Sequence, residues 1–89
     1  MSEIEVLRVG TERFQVRVRD DGGETHHDVT VATADLERLG GPYGSPEDFV
    51  RASFAFLLER EPKESILREF DVRDIARYFP EFEREIAAG

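Results

Sequence analysis

The sequence predicts an α+β domain: a three-stranded antiparallel β-meander over residues 1–32, then a helical half over residues 33–89 packed on one face of that sheet. Three observations predict it. Residues 13–19 and 26–32 alternate apolar and polar side chains with period two. A glycine- and proline-rich break lies at residues 40–44. Beyond the break, apolar residues recur three and four apart, the period of a helix.

The first hairpin follows from the alternation. Phe14, Val16 and Val18 share one side of a strand, with Arg13, Gln15, Arg17 and Arg19 on the other. His27, Val29 and Val31 repeat the pattern, and Asp20-Asp21-Gly22-Gly23-Glu24 supplies the turn between. With Gly22 and Gly23 as loop residues, Val16 faces Val29, Phe14 faces Val31, Val18 faces His27 and Arg17 faces Asp28. Residues 3–9 form the first strand. A three-residue loop, Gly10-Thr11-Glu12, pairs Val6 with Val16, Ile4 with Val18, Glu5 with Arg17 and Glu3 with Arg19. The outer face then carries a ladder, Glu5–Arg17–Asp28, of alternating charge.

The helical half begins at Thr33–Leu39, with Thr33 as N-cap and Gly40 as stop. Ser45 caps the next helix, residues 46–60, with Pro46 in its first turn and Asp48 in a capping-box position. Its run Phe49 to Leu58 is apolar around most of the circumference, so it needs more than one neighbour, later helices or a second subunit. After Pro62, a short helix from Lys63 to Phe70 turns Ile66, Leu67 and Phe70 inward and pairs Glu64 with Arg68. Asp71 caps a further helix with Val72, Ile75, Ala76 and Phe79 as its apolar side. Past Pro80, Phe82 and Ile86 sit four apart on a last short helix.

Composition narrows the function. At 89 residues the chain is read as one domain, burying roughly 60–65% of its unfolded surface, with no room for a large cofactor cavity. It has no cysteine, which removes disulfides, thiolate metal sites and cysteine nucleophiles. The net charge of −8 repels phosphate backbones and anionic membranes. No apolar run nears the roughly 18 residues a membrane span needs. Met1-Ser2-Glu3-Ile4-Glu5 has no basic stretch ahead of an apolar one, so no signal peptide and a cytoplasmic location are expected.

No catalytic, cofactor-binding or metal-binding set emerges. His26 and His27 are adjacent on a strand and point to opposite faces, so they cannot readily chelate one ion. The expectation is an exposed His26, with His27 closing the end of the inner sheet face beside Val18. Gly40-Gly41-Pro42-Tyr43-Gly44 lacks the Gly-Lys-Ser/Thr ending of a phosphate loop, and Glu47 and Asp48 occupy the place of the phosphate. The carboxylate pairs fall at caps, turns and solvent-facing positions, and Ser45, Ser53 and Ser65 have no base signalled nearby. The strongest surface candidate is Tyr78-Phe79-Pro80-Glu81-Phe82, where Tyr78, Phe79 and Phe82 could bind a partner. The alternative is that Phe79 and Phe82 plug the end of the core.

Two resemblances add to this. The stretch Leu57-Leu58-Glu59-Arg60-Glu61-Pro62-Lys63-Glu64-Ser65-Ile66-Leu67-Arg68-Glu69-Phe70-Asp71, with Tyr78-Phe79-Pro80-Glu81-Phe82-Glu83, resembles a tail of small uncharacterised bacterial proteins. It covers the last third of the chain and implies no activity. The order strand, Asp-Gly-Gly turn, strand, loop, Ser-Pro-Glu-Asp helix is similar to HicB-type antitoxins, whose compact body binds a toxin. This chain departs from them in lacking a Pro-rich turn at the third strand and in its long C-terminal tail. The function read from the sequence is therefore a non-enzymatic, cytoplasmic protein-interaction domain that self-associates as a homodimer. The runner-up is an antitoxin-like or transcription-linked regulator with an uncompensated arginine face, either Arg13, Arg17 and Arg19 or Arg68, Arg73 and Arg77. A small enzyme, using a deep pocket lined by His27 and carboxylates, comes last.

Overall fold

A computed structural model describes residues 2–89. Its elements run β1 (Glu3–Arg8), β2 (Arg13–Asp20), β3 (Gly23–Thr30), α1 (Thr33–Leu39), α2 (Pro46–Leu58), a single 3₁₀ turn (Lys63–Ser65), β4 (Glu69–Asp71), α3 (Arg73–Tyr78) and α4 (Phe82–Ala88). The class is α+β as expected. The sheet, however, has four strands in the order β1-β2-β3-β4 and is mixed, because β4 runs parallel to β3.

β4 replaces most of the helix expected at residues 63–70. Only Lys63–Ser65 is helical; the chain is extended by Ile66. The free edge of β3 explains the change. Asp28 donates its N–H to the Arg68 carbonyl (2.6 Å) and Thr30 accepts from Val72 N–H (2.9 Å), so β4 satisfies backbone groups that an isolated meander leaves open. Phe70 lands beside Val29 and is buried. The expected Glu64–Arg68 pair is absent among the described residues; Glu64 bonds Lys63 instead (2.7 Å).

The β1–β2 register is the expected one, with Val6 opposite Val16 and Glu5 opposite Arg17. The β2–β3 register is not: Phe14 faces Val29, Val16 faces His27 and Arg17 faces His26. Each residue of β2 meets a partner two positions earlier than expected. A two-residue slip preserves which face each side chain occupies, so alternation alone cannot detect it. The turn decides. Asp20 Oδ1 accepts the Gly22 N–H (2.8 Å), tightening the chain one residue early, so Asp21 and Gly22 form the loop and the positive φ (116°) falls on Gly23. A Cβ at Gly23 would touch nothing within 4 Å, so a substitution there meets only conformational strain. Gly23→Ala is expected to cost about 1–2 kcal/mol, read as a lower urea-unfolding midpoint with unchanged slope.

One face of the sheet is buried. Phe14, Val16, Val18, His27, Val29 and Val31 point into a core completed by Phe49, Val50, Phe54, Phe56 and Leu57 of α2. The other face carries Arg17 bonded to Glu5 and Arg19 bonded to Glu3. α2 is sealed by the chain's own α4: Phe82 packs edge-on to Phe56 (5.0 Å), and Arg60 lies over the same ring (3.5 Å) while reaching Glu81 and Glu85. The need of this helix for several neighbours is thus met within the chain.

The caps are informative. Ser45 Oγ accepts the Asp48 N–H (3.1 Å), the expected N-cap, while the Asp48 carboxylate accepts from Arg51 (2.8 Å), so only the serine half of the expected box is formed. The expected cap at Asp71 is displaced: Val72 precedes α3 directly and has no side-chain cap, while Asp71 Oδ1 accepts the Arg73 N–H (2.9 Å) and Asp74 Oδ2 accepts the Asp71 N–H (3.1 Å) beside it. Thr33 is no N-cap but the first helical residue; its N–H is capped from outside by Glu12 Oε2 (2.8 Å). No helix is long and apolar enough to cross a membrane among the described residues.

Candidate functional site

Among the described residues four large apolar or aromatic side chains stay exposed, and they fall in two places. Leu67 (52% exposed) and Tyr78 (70%) flank one cleft. Leu7 and Val9 belong to β1 and the loop that follows it.

The cleft, about 370 Å³, lies between the segment entering β4 and helix α3. Its floor is the buried set Leu57, Ile66, Phe70 and Ile75. Phe79 closes one end, edge-on to Phe56 (6.0 Å). Glu61, Ser65 and Asp74 supply the polar rim. The local sequence makes this hollow. Pro62 and the 3₁₀ turn swing the chain out of α2, and the extended stretch to β4 turns Ile66 and Phe70 in and Leu67 out. α3 is only six residues long and ends at Tyr78, so it roofs part of the floor and leaves the rest open.

Of the three residues singled out in the aromatic tail, Tyr78 and Phe79 line this cleft. Phe82 does not reach it; it is buried against Phe56. Leu67, Glu61 and Ser65 were not singled out. A helix at 63–70 would have buried Leu67, and only recognition of the extended segment exposes it.

The groups with chemical potential elsewhere are structurally engaged. His27 is 3% exposed and uses both ring nitrogens, Nδ1 with the Leu67 carbonyl and Nε2 with Thr25 Oγ1, each at 2.8 Å. It sits mid-sheet beside Val16 rather than at the end beside Val18. His26 is exposed and bonds Glu24 (2.8 Å). The Lys63 ammonium is buried between Asp20 and Glu64, 2.7 Å from each, and ties the 3₁₀ turn to the tip of the β2–β3 hairpin. Those hydrogen bonds raise its pKa and lower that of Asp20. No three metal-ligating side chains converge among the described residues. A wider opening of about 820 Å³ is bordered by Glu5, Leu7, Gln15, Arg17, His26 and Arg68, and its Arg17 is already paired with Glu5.

Comparison with protein families, with curated proteins and with solved structures finds no match. The two sequence resemblances therefore rest on the quoted residues alone.

Proposed function

We propose that this chain is a non-enzymatic, cytoplasmic protein-interaction domain whose cleft receives an apolar side chain of a partner peptide flanked by basic residues. The observation that carries the reading is the exposure of Leu67 and Tyr78 on either side of an apolar floor. Exposed apolar walls around a hollow gain from desolvation, and aromatic residues concentrate binding energy at such centres. The rim supports the basic flank: Glu61 has no ion-pair partner among the described residues, and the whole chain carries −8, which steers cations toward it.

The regulator reading is less well supported. Arg13, Arg17 and Arg19 face Glu69, Glu5 and Glu3; of Arg68, Arg73 and Arg77 the last two face Asp71 and Asp74, and Arg68 alone is exposed without an ion pair among the described residues. A nucleic-acid face needs such charges free for phosphate.

The test is a displayed peptide library in which a central apolar residue is flanked by either Lys/Arg or Asp/Glu. Wild type is expected to enrich the basic-flanked class, and Leu67→Glu to weaken the enriched peptides by about tenfold or more. Leu67 is half exposed, so circular dichroism of the variant is expected to match wild type. No enrichment, or equal binding by Leu67→Glu, overturns the reading.

A further inference from the structure

β1 has a single neighbour, β2. Val9 N–H donates to the Arg13 carbonyl (2.9 Å), so the odd residues of β1 turn their backbone groups toward β2, and Ile4, Val6 and Arg8 turn theirs outward. Helix α2 comes closest to the sheet along β1, and among the described residues one side chain hydrogen-bonds to the outer edge: Arg51 Nε, 3.4 Å from the Ile4 carbonyl. The N–H and C=O of Val6 and Arg8 stay open on a strand free of proline. Apolar surface lies on both sides of this edge. Leu7 is 62% and Val9 49% exposed, and Ile4 and Val6 are only half-buried where Val16 and Val18 beside them are sealed. Natural sheets normally cover such an edge or break it with charge.

We propose that a second copy of this chain adds to the free edge of β1, antiparallel, with the two-fold axis at Leu7. In that register Val6 and Arg8 exchange backbone hydrogen bonds with Arg8 and Val6 of the second copy. Leu7 meets its own equivalent as a close, non-hydrogen-bonded pair. Charge order selects the direction. The strand begins with Glu3 and Glu5 and ends with Arg8. The antiparallel arrangement sets Glu5 opposite Val9 of the second copy, one strand from that copy's Arg13, which flanks Val9, lies 3.5 Å from Glu69 on its other side and still keeps 57% of its side chain exposed. A parallel copy, or a two-fold centred on Glu5, opposes like carboxylates instead. Glu3 and Glu5 are also neutralised within each copy by Arg19 and Arg17. The cleft at Leu67 stays outside this seam, so the proposal stands or falls separately from peptide binding.

The chain has no cysteine, so single cysteines report the seam cleanly. Leu7→Cys places two thiols on a non-hydrogen-bonded pair about 4.5 Å apart at Cα, within disulfide range. Glu5→Cys places them about 13 Å apart along the strands, and Leu67→Cys probes the cleft. Sedimentation equilibrium up to on the order of 0.5 mM is expected to show a monomer–dimer equilibrium. Oxidised glutathione is expected to cross-link Leu7→Cys and neither of the others. Val6→Pro removes an outward N–H, and with it the Val6 side chain packed against the core; it is expected to weaken the dimer by about tenfold or more, as is Leu7→Lys, and the latter keeps the test if the proline variant does not fold. A monomer throughout, a dimer that Leu7→Cys does not cross-link, or equal cross-linking by Leu67→Cys overturns the proposal.

Discussion

Phe54→Ala is expected to destabilise the domain by about 3–5 kcal/mol, and Tyr78→Ala by no more than about 0.5 kcal/mol. Both remove an aromatic ring from the helical half. Phe54 is fully buried on α2, with its ring 5.3 Å from that of His27 on β3 and 5.9 Å from that of Phe70 on β4. It is the point where the helix layer meets the two paired strands that are farthest apart in sequence. Truncation leaves a cavity bounded by a rigid sheet on one side and a helix on the other, neither free to collapse into it. A domain of this length has a total stability of about 5–13 kcal/mol, so Phe54→Ala removes a large part of it and lowers Tm by about 15 °C or more. Tyr78 ends α3 in solvent. Urea unfolding followed by circular dichroism separates the two, and comparable losses would show that Tyr78 is part of the core.

The parts of the fold legible in the sequence are those fixed by local pattern. The β1–β2 register is one. Sliding that pair by one residue would drive Glu5 against Val16, and the charges at Glu3, Glu5, Arg17 and Arg19 fall into place only in the observed pairing. The β2–β3 register obeys the same alternation in two settings, and the choice between them rests on a single Asp20 side chain folding back on Gly22. β4 is illegible for another reason. Three residues are too few to show a period, and Glu69–Asp71 is a strand because β3 offers an edge 41 residues earlier in the chain. A helix propensity that is adequate over residues 63–70 loses to non-local backbone pairing.

That one misreading also hid half of the candidate cleft. Aromatic density around Pro80 marks Tyr78 and Phe79, but it marks Phe82 equally. What separates them is direction: the break at Pro80 aims Phe82 and, four residues on, Ile86 at α2, while Tyr78 ends the preceding helix facing out. Leu67 carries no sequence signal of exposure. It becomes a wall of the cleft only because its neighbours Ile66 and Phe70 are claimed by the core.

Acid is expected to weaken the fold through His27, beginning near pH 6.5. The Leu67 carbonyl can only accept, so His27 Nδ1 carries the hydrogen and Nε2 accepts from the Thr25 hydroxyl. The neutral ring is satisfied on both sides. Charging it places a cation in the core against Phe54. Burial therefore holds its pKa below the ordinary 6.5; the Leu67 carbonyl opposes this, His26 and Arg68 reinforce it, and Asp28 opposes it. The unfolded chain then binds a proton that the native state refuses. This contribution to stability is complete above pH 6.5, declines as the pH falls below it, and is exhausted once the folded ring itself protonates. One proton gives a slope of at most about 1.4 kcal/mol per pH unit. The carboxylates held low by ion pairs and hydrogen bonds, Asp20, Glu64, Glu81 and Glu83, titrate in the folded state below their ordinary 3.8–4.5, so the interval from 6.5 to 5.5 isolates histidine. His27→Leu is expected to be less stable at pH 7.5 by about 1–3 kcal/mol, since the Leu67 carbonyl loses its donor, and to fall less steeply on acidification. The two curves from urea unfolding at pH 7.5, 6.5 and 5.5 should therefore converge toward acid; parallel curves would assign the transition to another group.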